Sequence, residues 1–205
     1  FFIVYKSNEY KLPERTWGWN TINIMEEIKK IIENSLIELY EKNSILIDRN
    51  TKEEAINHWL AIYIDKNIRI AYPDSNYNVD IEYNRNVTNE NEQRFFSKLI
   101  KYPKYFKKDD IVISIMKEII PDIIVHKRGS NKNNLLCIEA KKNYRYANET
   151  KDIQKILGLL DFPYNYSYGC LVEYSPDEEI FSFLIIRKNN LDYQTERFFI
   201  NKPIK

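Results

Sequence analysis

The sequence predicts an α/β fold: a mixed β-sheet core flanked by helices, with an N-terminal helical extension. Three observations carry that expectation. Apolar residues recur at helical spacing over residues 22–42, again after residue 51 and again after residue 149. Two short apolar runs, Ile123 to Val125 and Leu135 to Ile138, flank a cluster of turn formers, Arg128 to Asn134. After them a helix pattern stands between two more strand-like runs, an order that builds a mixed sheet.

In order along the chain, residues 1–20 read as irregular, with Pro13, Gly18 and two Trp. Over residues 22–42 the stripe Ile24, Ile28, Ile32, Leu36 and Leu39 makes an amphipathic helix. It reads either as a helix packed on the rest of the domain or as a dimerisation or target-recognition element. A second helix is expected from Thr51, where Thr51 and Glu54 have capping-box spacing and Ile56, Trp59, Leu60 and Tyr63 form the inward stripe. Glu53 falls on the inward side, where an acid needs a partner; the alternative is a solvated first-turn glutamate favoured by the helix dipole. His58 reads as a packing or hydrogen-bonding residue.

Val79 to Asn84 alternates and predicts the first strand of the sheet, beside the Ile123 strand, with Asp80, Glu82 and Asn84 on one face. Glu82 is an accessory candidate for the acidic cleft. Arg85 is a candidate to pair with Glu82 or to contact phosphate. The alternative is a strand with one solvent face. Asn86 to Gln93 reads as loop. Lys98 to Lys108 mixes lysines with aromatics, which suits phosphate contacts plus base stacking through Lys101, Lys104, Lys107 and Lys108, with Lys142 further on; it equally suits a solvated surface insertion. The apolar Ile111 to Ile120 fits strand or helix. Beyond the hairpin, Glu149 to Leu160 predicts a helix with Ile153, Ile156, Leu157 and Leu160 inward and Asp152 and Lys155 elsewhere. Lys155 is expected on a solvated face or reaching a phosphate. Pro163 ends that helix. Tyr168 to Tyr174 and Ile180 to Arg187 predict strands joined by a turn over residues 175–179. The sequence assigns no element to Asn189 to Lys205.

The chemistry concentrates in the hairpin. Folded at residue 130 or 131, it sets Asp122 opposite Glu139, with Cβ atoms roughly 5 Å apart. Alternation then turns Glu139 and Lys141 to one face and Ile138 and Ala140 to the other. Two opposed carboxylates in apolar surroundings must take a proton, find a cation or splay apart. Hard oxygen ligands favour Mg²⁺ or a similar ion such as Mn²⁺. With Lys141 to hold the attacking water or neutralise developing charge, such a set can hydrolyse a phosphodiester without a histidine, cysteine or serine nucleophile. Glycoside hydrolysis needs two acids on either side of a sugar, ~5–9 Å apart, and directly opposed acids sharing a site with a lysine leave no room for one.

Pro121-Asp122 followed by Glu139-Ala140-Lys141 resembles the PD-(D/E)xK nuclease superfamily, the restriction-endonuclease-like fold. The resemblance covers about residues 51–188 and is nearest to small uncharacterised bacterial members, in which a strand like Asp80-Ile-Glu-Tyr-Asn-Arg85 precedes Pro-Asp-Ile-Ile-Val-His. It implies a metal-dependent nuclease, most readily a DNA endonuclease of restriction, defence or repair type. Asp122, Glu139 and the Ala140 carbonyl are the implied metal ligands, Lys141 the catalytic cation and Glu53 an accessory acid and ligand. The rival from another class is a nuclease-like fold that binds DNA or a protein and no longer cuts.

Length and composition agree with this. At 205 residues the chain suits one domain, divided into an extension (1–50), the core (51–188) and a C-terminal segment packed on the core (189–205). An apolar fraction of 43% with 16 Tyr and 10 Phe excludes a disordered chain. Two cysteines, Cys137 and Cys170, without paired or metal-type spacing point to a reducing cytoplasm. No apolar run approaches the ~20 residues that cross a membrane. The chain opens on Phe1, so its native start is expected upstream, and Phe1 to Tyr5 is too short for a secretory signal core. A net charge of +1 gives no overall nucleic-acid signature, so contact must come from local basic patches. Whether one copy or a homodimer cuts both strands stays open.

Overall fold

The computed structural model describes residues 19–49, 51–89, 94–106, 111–142, 146–174, 180–189 and 192–203. Helix α1 (Trp19–Asp48) and helix α2 (Glu53–Ala71) come first. Ile28, Ile32, Leu36 and Leu39 of α1 are all 0% exposed, which explains the apolar stripe seen in the sequence. Each such burial contributes about 1.5–3 kcal/mol. The helix runs past the expected end at residue 42, with a kink at Asn43 (φ −133°), whose side-chain oxygen accepts the Tyr63 hydroxyl proton from α2. The extension is therefore built into the same core as α2. In α2, Ile56, Leu60 and Tyr63 are buried as expected, but Trp59 is 38% exposed and stacks along the helix on Tyr63. His58 is also exposed and lies edge-on to Trp59. The expected capping box does not form. Thr51 Oγ1 donates instead to the Leu46 carbonyl at 2.6 Å, the N-cap is Lys52, and Glu54 is exposed. Closing the α1–α2 turn outcompetes the local cap.

Six strands make the main sheet: β1 (Asn78–Ile81), β6 (Ile123–His126), β7 (Leu136–Lys142), β8 (Tyr168–Tyr174), β9 (Ile180–Asn189) and β10 (Asp192–Asn201), hydrogen-bonded in that order. All neighbours are antiparallel except β7 and β8. Helix α3 (Tyr146–Leu160) is the crossover that a parallel pair requires. The hairpin has the register its symmetry predicts: Ile123 opposes Ile138, Ile124 opposes Cys137 and Val125 opposes Leu136. Two left-handed residues, Gly129 (φ 78°) and Asn133 (φ 62°), turn the loop between them. β1 pairs with β6 as expected but stops at Ile81, because Glu82 (φ 50°) bends the chain and breaks the expected alternation to Asn84. The unassigned C-terminal run is β10, the edge strand against β9.

Strict alternation divides the sheet between two cores. Ile123, Val125, Leu136, Ile138 and Ala140 face α1 and α2, whereas Ile124 and Cys137 join Ile156, Leu159 and Leu160 of α3. Both cysteines are buried free thiols.

Two small sheets branch off between β1 and β6. β2 (Arg85–Asn89) pairs with β3 (Arg94–Ser97), and β4 (Leu99–Phe106) pairs with β5 (Ile111–Glu118). Residues 86–89, expected as loop, are therefore strand, and the ambiguous Ile111 to Ile120 is mainly strand. The remainder of that expected loop, residues 90–93, lies outside the described residues, as do residues 1–18 and the 175–179 turn. No helix among the described residues is long and apolar enough to cross a membrane.

Candidate functional site

Glu139 lies in the middle of the sheet, on β7, and is 0% exposed. Asp122 sits on the bend that leads into β6, and its Oδ2 accepts the Ala140 N–H at 2.8 Å. The bend and the strand thus hold the two acids to one end of the hairpin. Lys141 Nζ lies 3.6 Å from Asp122 Oδ2 and donates at 2.9 Å to Glu53 Oε1. Glu53 reaches the site from the first turn of α2, and its other oxygen accepts the Lys142 N–H at 3.2 Å. Lys142 Nζ donates to the Thr51 carbonyl at 2.6 Å, which ties the end of β7 to the start of α2.

Helix α3 adds a second arm. Lys155 Nζ donates to Glu139 Oε2 at 2.5 Å and stands 3.6 Å from Asp152 Oδ1. Among the described residues, Glu139 Oε1 and Asp152 Oδ2 of this arm are buried without a hydrogen-bond partner. A buried carboxylate oxygen with no donor is costly and marks a place where a proton or cation belongs.

The electrostatics point the same way. Burial, reinforced by the Asp122 charge and opposed by Lys155, pushes the Glu139 carboxyl up to about 8. Burial also raises Asp122, against the pull of Lys141, the Ala140 N–H and Lys155. For Lys141 burial works downward, but Asp122 and Glu53 overcome it and hold the ammonium above its ordinary range. Lys155 is likewise depressed by burial and raised more strongly by Glu139. Four carboxylates (Glu53, Asp122, Glu139, Asp152) meet two ammonium groups (Lys141, Lys155). Fully ionised, the cluster carries two negative charges in excess, 4 − 2 = 2.

The residues singled out by sequence therefore divide. Asp122, Glu139, Lys141 and Glu53 come together, with Ala140 contributing its backbone. Lys142 lies at the site's edge, but its ammonium is engaged by the Thr51 carbonyl. Glu82 is exposed; its backbone N–H donates to the Asp122 carbonyl at 3.1 Å, but its carboxylate forms no ion pair with the site's lysines among the described residues. Arg85 heads β2 with its side chain exposed and forms no ion pair with Glu82. Of the lysine candidates, Lys101 is exposed on β4. The Lys104 side chain and the whole of Lys107 and Lys108 lie outside the described residues. Lys98, read as part of that basic segment, is only 2% exposed. It donates to the Tyr83 carbonyl at 3.2 Å and to that of Arg85, and is a structural anchor.

Lys155 corrects the sequence reading most. Expected on a solvated face or against phosphate, it is bound to Glu139, because Asp152 and Ile156 share the inward side of α3 and carry Lys155 with them. The signal was there: Asp152 precedes the buried Ile156 and Leu159 by four and seven residues, on their stripe.

No protein-family model, curated protein or solved structure matches this chain. Among the described residues, no three His, Cys, Asp or Glu side chains form a ready-made metal cage. A site with two carboxylates and a backbone carbonyl needs no such cage. The orphaned Glu139 oxygen and the excess negative charge fit a hard divalent cation that keeps several of its own waters.

Proposed function

We propose that the protein is a metal-dependent nuclease of the PD-(D/E)xK type, with a restriction-endonuclease-like core, that hydrolyses phosphodiester bonds in DNA. The observation that carries this reading is the juxtaposition of Asp122 and an unpartnered Glu139 oxygen with the Lys141–Glu53 ion pair. The order of elements supports it: an acid-bearing helix, a strand, the Pro-Asp strand, the Glu-x-Lys strand, a helix and a further strand.

Asp122, Glu139 and the Ala140 carbonyl are the residues that would hold Mg²⁺ or Mn²⁺. Such an ion supplies charge stabilisation at the phosphate and acidifies a bound water. The chain's own groups do the rest. Glu53 fixes the Lys141 ammonium at the mouth of the acid pair. From there Lys141 donates a hydrogen bond to the attacking water or to a phosphate oxygen as negative charge builds. Lys155 holds one Glu139 oxygen and leaves the other without a partner among the described residues. Restriction, defence against foreign DNA or repair are the contexts this chemistry serves.

A second reading draws on the same arm. Lys155 already neutralises Glu139, so a nuclease-like fold that binds DNA or a protein without cutting is the alternative. One experiment separates them. Supercoiled plasmid, linear duplex, single strand and RNA are incubated with the protein, with and without Mg²⁺ or Mn²⁺, while its melting temperature is followed. A nuclease cuts and gains thermal stability on metal addition; a binder does neither. Glu139→Ala and Lys141→Ala should each lower cleavage by more than about a hundredfold. Unchanged turnover in either removes the mechanism.

A further inference from the structure

Helix α3 serves two sites. Lys155 faces Glu139, while its neighbour Gln154, with Leu157, Gly158 and Asp161, lines an open groove of about 710 Å³ on the other side of the helix. The opposite wall is the β4–β5 hairpin, through Leu99, Lys101 and Met116, and the far end is closed by Phe162, Lys188 and Tyr193.

This groove is built into the fold. Gly158 lets the hairpin approach α3 so closely that a Cβ there would stand 2.6 Å from Ile100 Cγ2 and 2.8 Å from Ile100 Cβ. The Tyr164 hydroxyl accepts the Leu99 N–H at 2.6 Å and donates to the Leu99 carbonyl at 2.9 Å, so both polar groups of the first β4 residue are locked. Yet the groove keeps large apolar groups in water: Phe162 is 86% exposed, Met116 59% and Leu99 42%. Clustered exposed apolar groups in a rigid concave surface mark a binding site. The rim is basic. Lys101 forms no ion pair among the described residues, and Lys188 lies at the far end, paired at 2.5 Å with Asp161.

We propose that this groove binds an unpaired strand of nucleic acid, with bases against Phe162, Tyr193 and Met116 and phosphates against Lys101 and Lys188. Aromatic faces beside cations are the combination that holds single strands without reading their sequence. The helical face from Gln154 to Gly158 that lines the groove is about 6 Å long, roughly two stacked nucleotides at ~3.4 Å each. The inference deepens the nuclease reading and rests on it for the identity of the ligand, and it adds a preference for single-stranded or frayed substrate.

The test measures binding separately from cutting. Anisotropy of a fluorescein-labelled oligothymidine of 12 nucleotides is titrated with protein in EDTA, so that no cleavage occurs. The wild type should bind with an affinity that falls as salt rises. Phe162→Ala removes a side chain that is almost wholly in water, so the fold should survive; it should weaken binding about tenfold, and Lys101→Ala should weaken it further and flatten the salt dependence. Equal binding by wild type and Phe162→Ala overturns the groove, as does a wild type that cuts duplex with Mg²⁺ but does not bind the oligonucleotide. A wild type that binds through Phe162 and never cuts leaves the groove standing and removes the nuclease reading.

Discussion

Two of the hairpins, β6–β7 and β4–β5, behave oppositely. β6–β7 is threaded through the centre of the sheet, with every described residue from Ile123 to His126 and from Leu136 to Ala140 buried. β4–β5 forms a sheet of its own, and among its described residues Ile100 meets Gly158 while the Leu99 backbone is held by the Tyr164 hydroxyl. In the first, both faces are fixed by packing, so register is strongly specified and the acids it carries are held to one place. In the second, the described attachment to the body rests on single contacts at Leu99 and Ile100. A buried hairpin suits positioning of reacting groups, and an outlying one suits the wall of a groove.

Breaking this contrast has graded consequences. The largest belongs to the buried hairpin. Lys155→Met leaves Glu139 without its countercharge and should cost about 3 kcal/mol in chemical denaturation at pH 8.5. Glu139→Gln in the same background should restore most of it. An unchanged midpoint for Lys155→Met would mean that the ion pair does not organise the centre.

Next comes the outlying hairpin's seat. Gly158→Ala drives a methyl group into Ile100 Cγ2 and Cβ and should cost about 2 kcal/mol. Tyr164→Phe removes the hydroxyl that serves both polar groups of Leu99 and should cost about 1 kcal/mol.

A pH slope tests the same buried carboxyl in a different way. Glu139 holds its proton more tightly in the folded chain than its ordinary value of 4.5 allows, up to about 8. The folded state therefore binds the extra proton between those values, and stability without metal should fall as pH rises through that window, then level off. His126, depressed by burial and only partly restored by Asp80, acts in the opposite sense below its ordinary value of 6.5. Comparing wild type with Glu139→Gln isolates the glutamate: the variant should lack the decline. A decline of equal size in both would assign it elsewhere. Mg²⁺ should lessen the wild-type decline, because a cation takes the proton's place at the carboxylate.

Legibility followed the same division. The turn cluster at residues 128–134 and the β-branched runs beside it announced the buried hairpin and its register, because burial of both faces leaves an apolar signature and a symmetric turn fixes the pairing. Glu53 was visible as an acid on the inward side of α2, and it reaches Lys141. The Thr51–Glu54 cap was equally visible and does not form, since the Leu46 carbonyl captures the hydroxyl. Lys98 looked like part of a solvated basic run and is buried, because the carbonyls that hold it come from residues 83 and 85, which no local pattern connects to it.

By itself, the sequence determined the α/β class, the strands and their pairing in the central hairpin, and the types of acid and cation brought to its end. These follow from periodicity and turn chemistry, which act over a few residues. Only the tertiary structure decided that α3 delivers Lys155 and Asp152 to Glu139 and that the β4–β5 ribbon leans on Gly158. Those contacts join residues far apart in the chain, and their geometry is set by how helices and sheet pack, which no local pattern encodes.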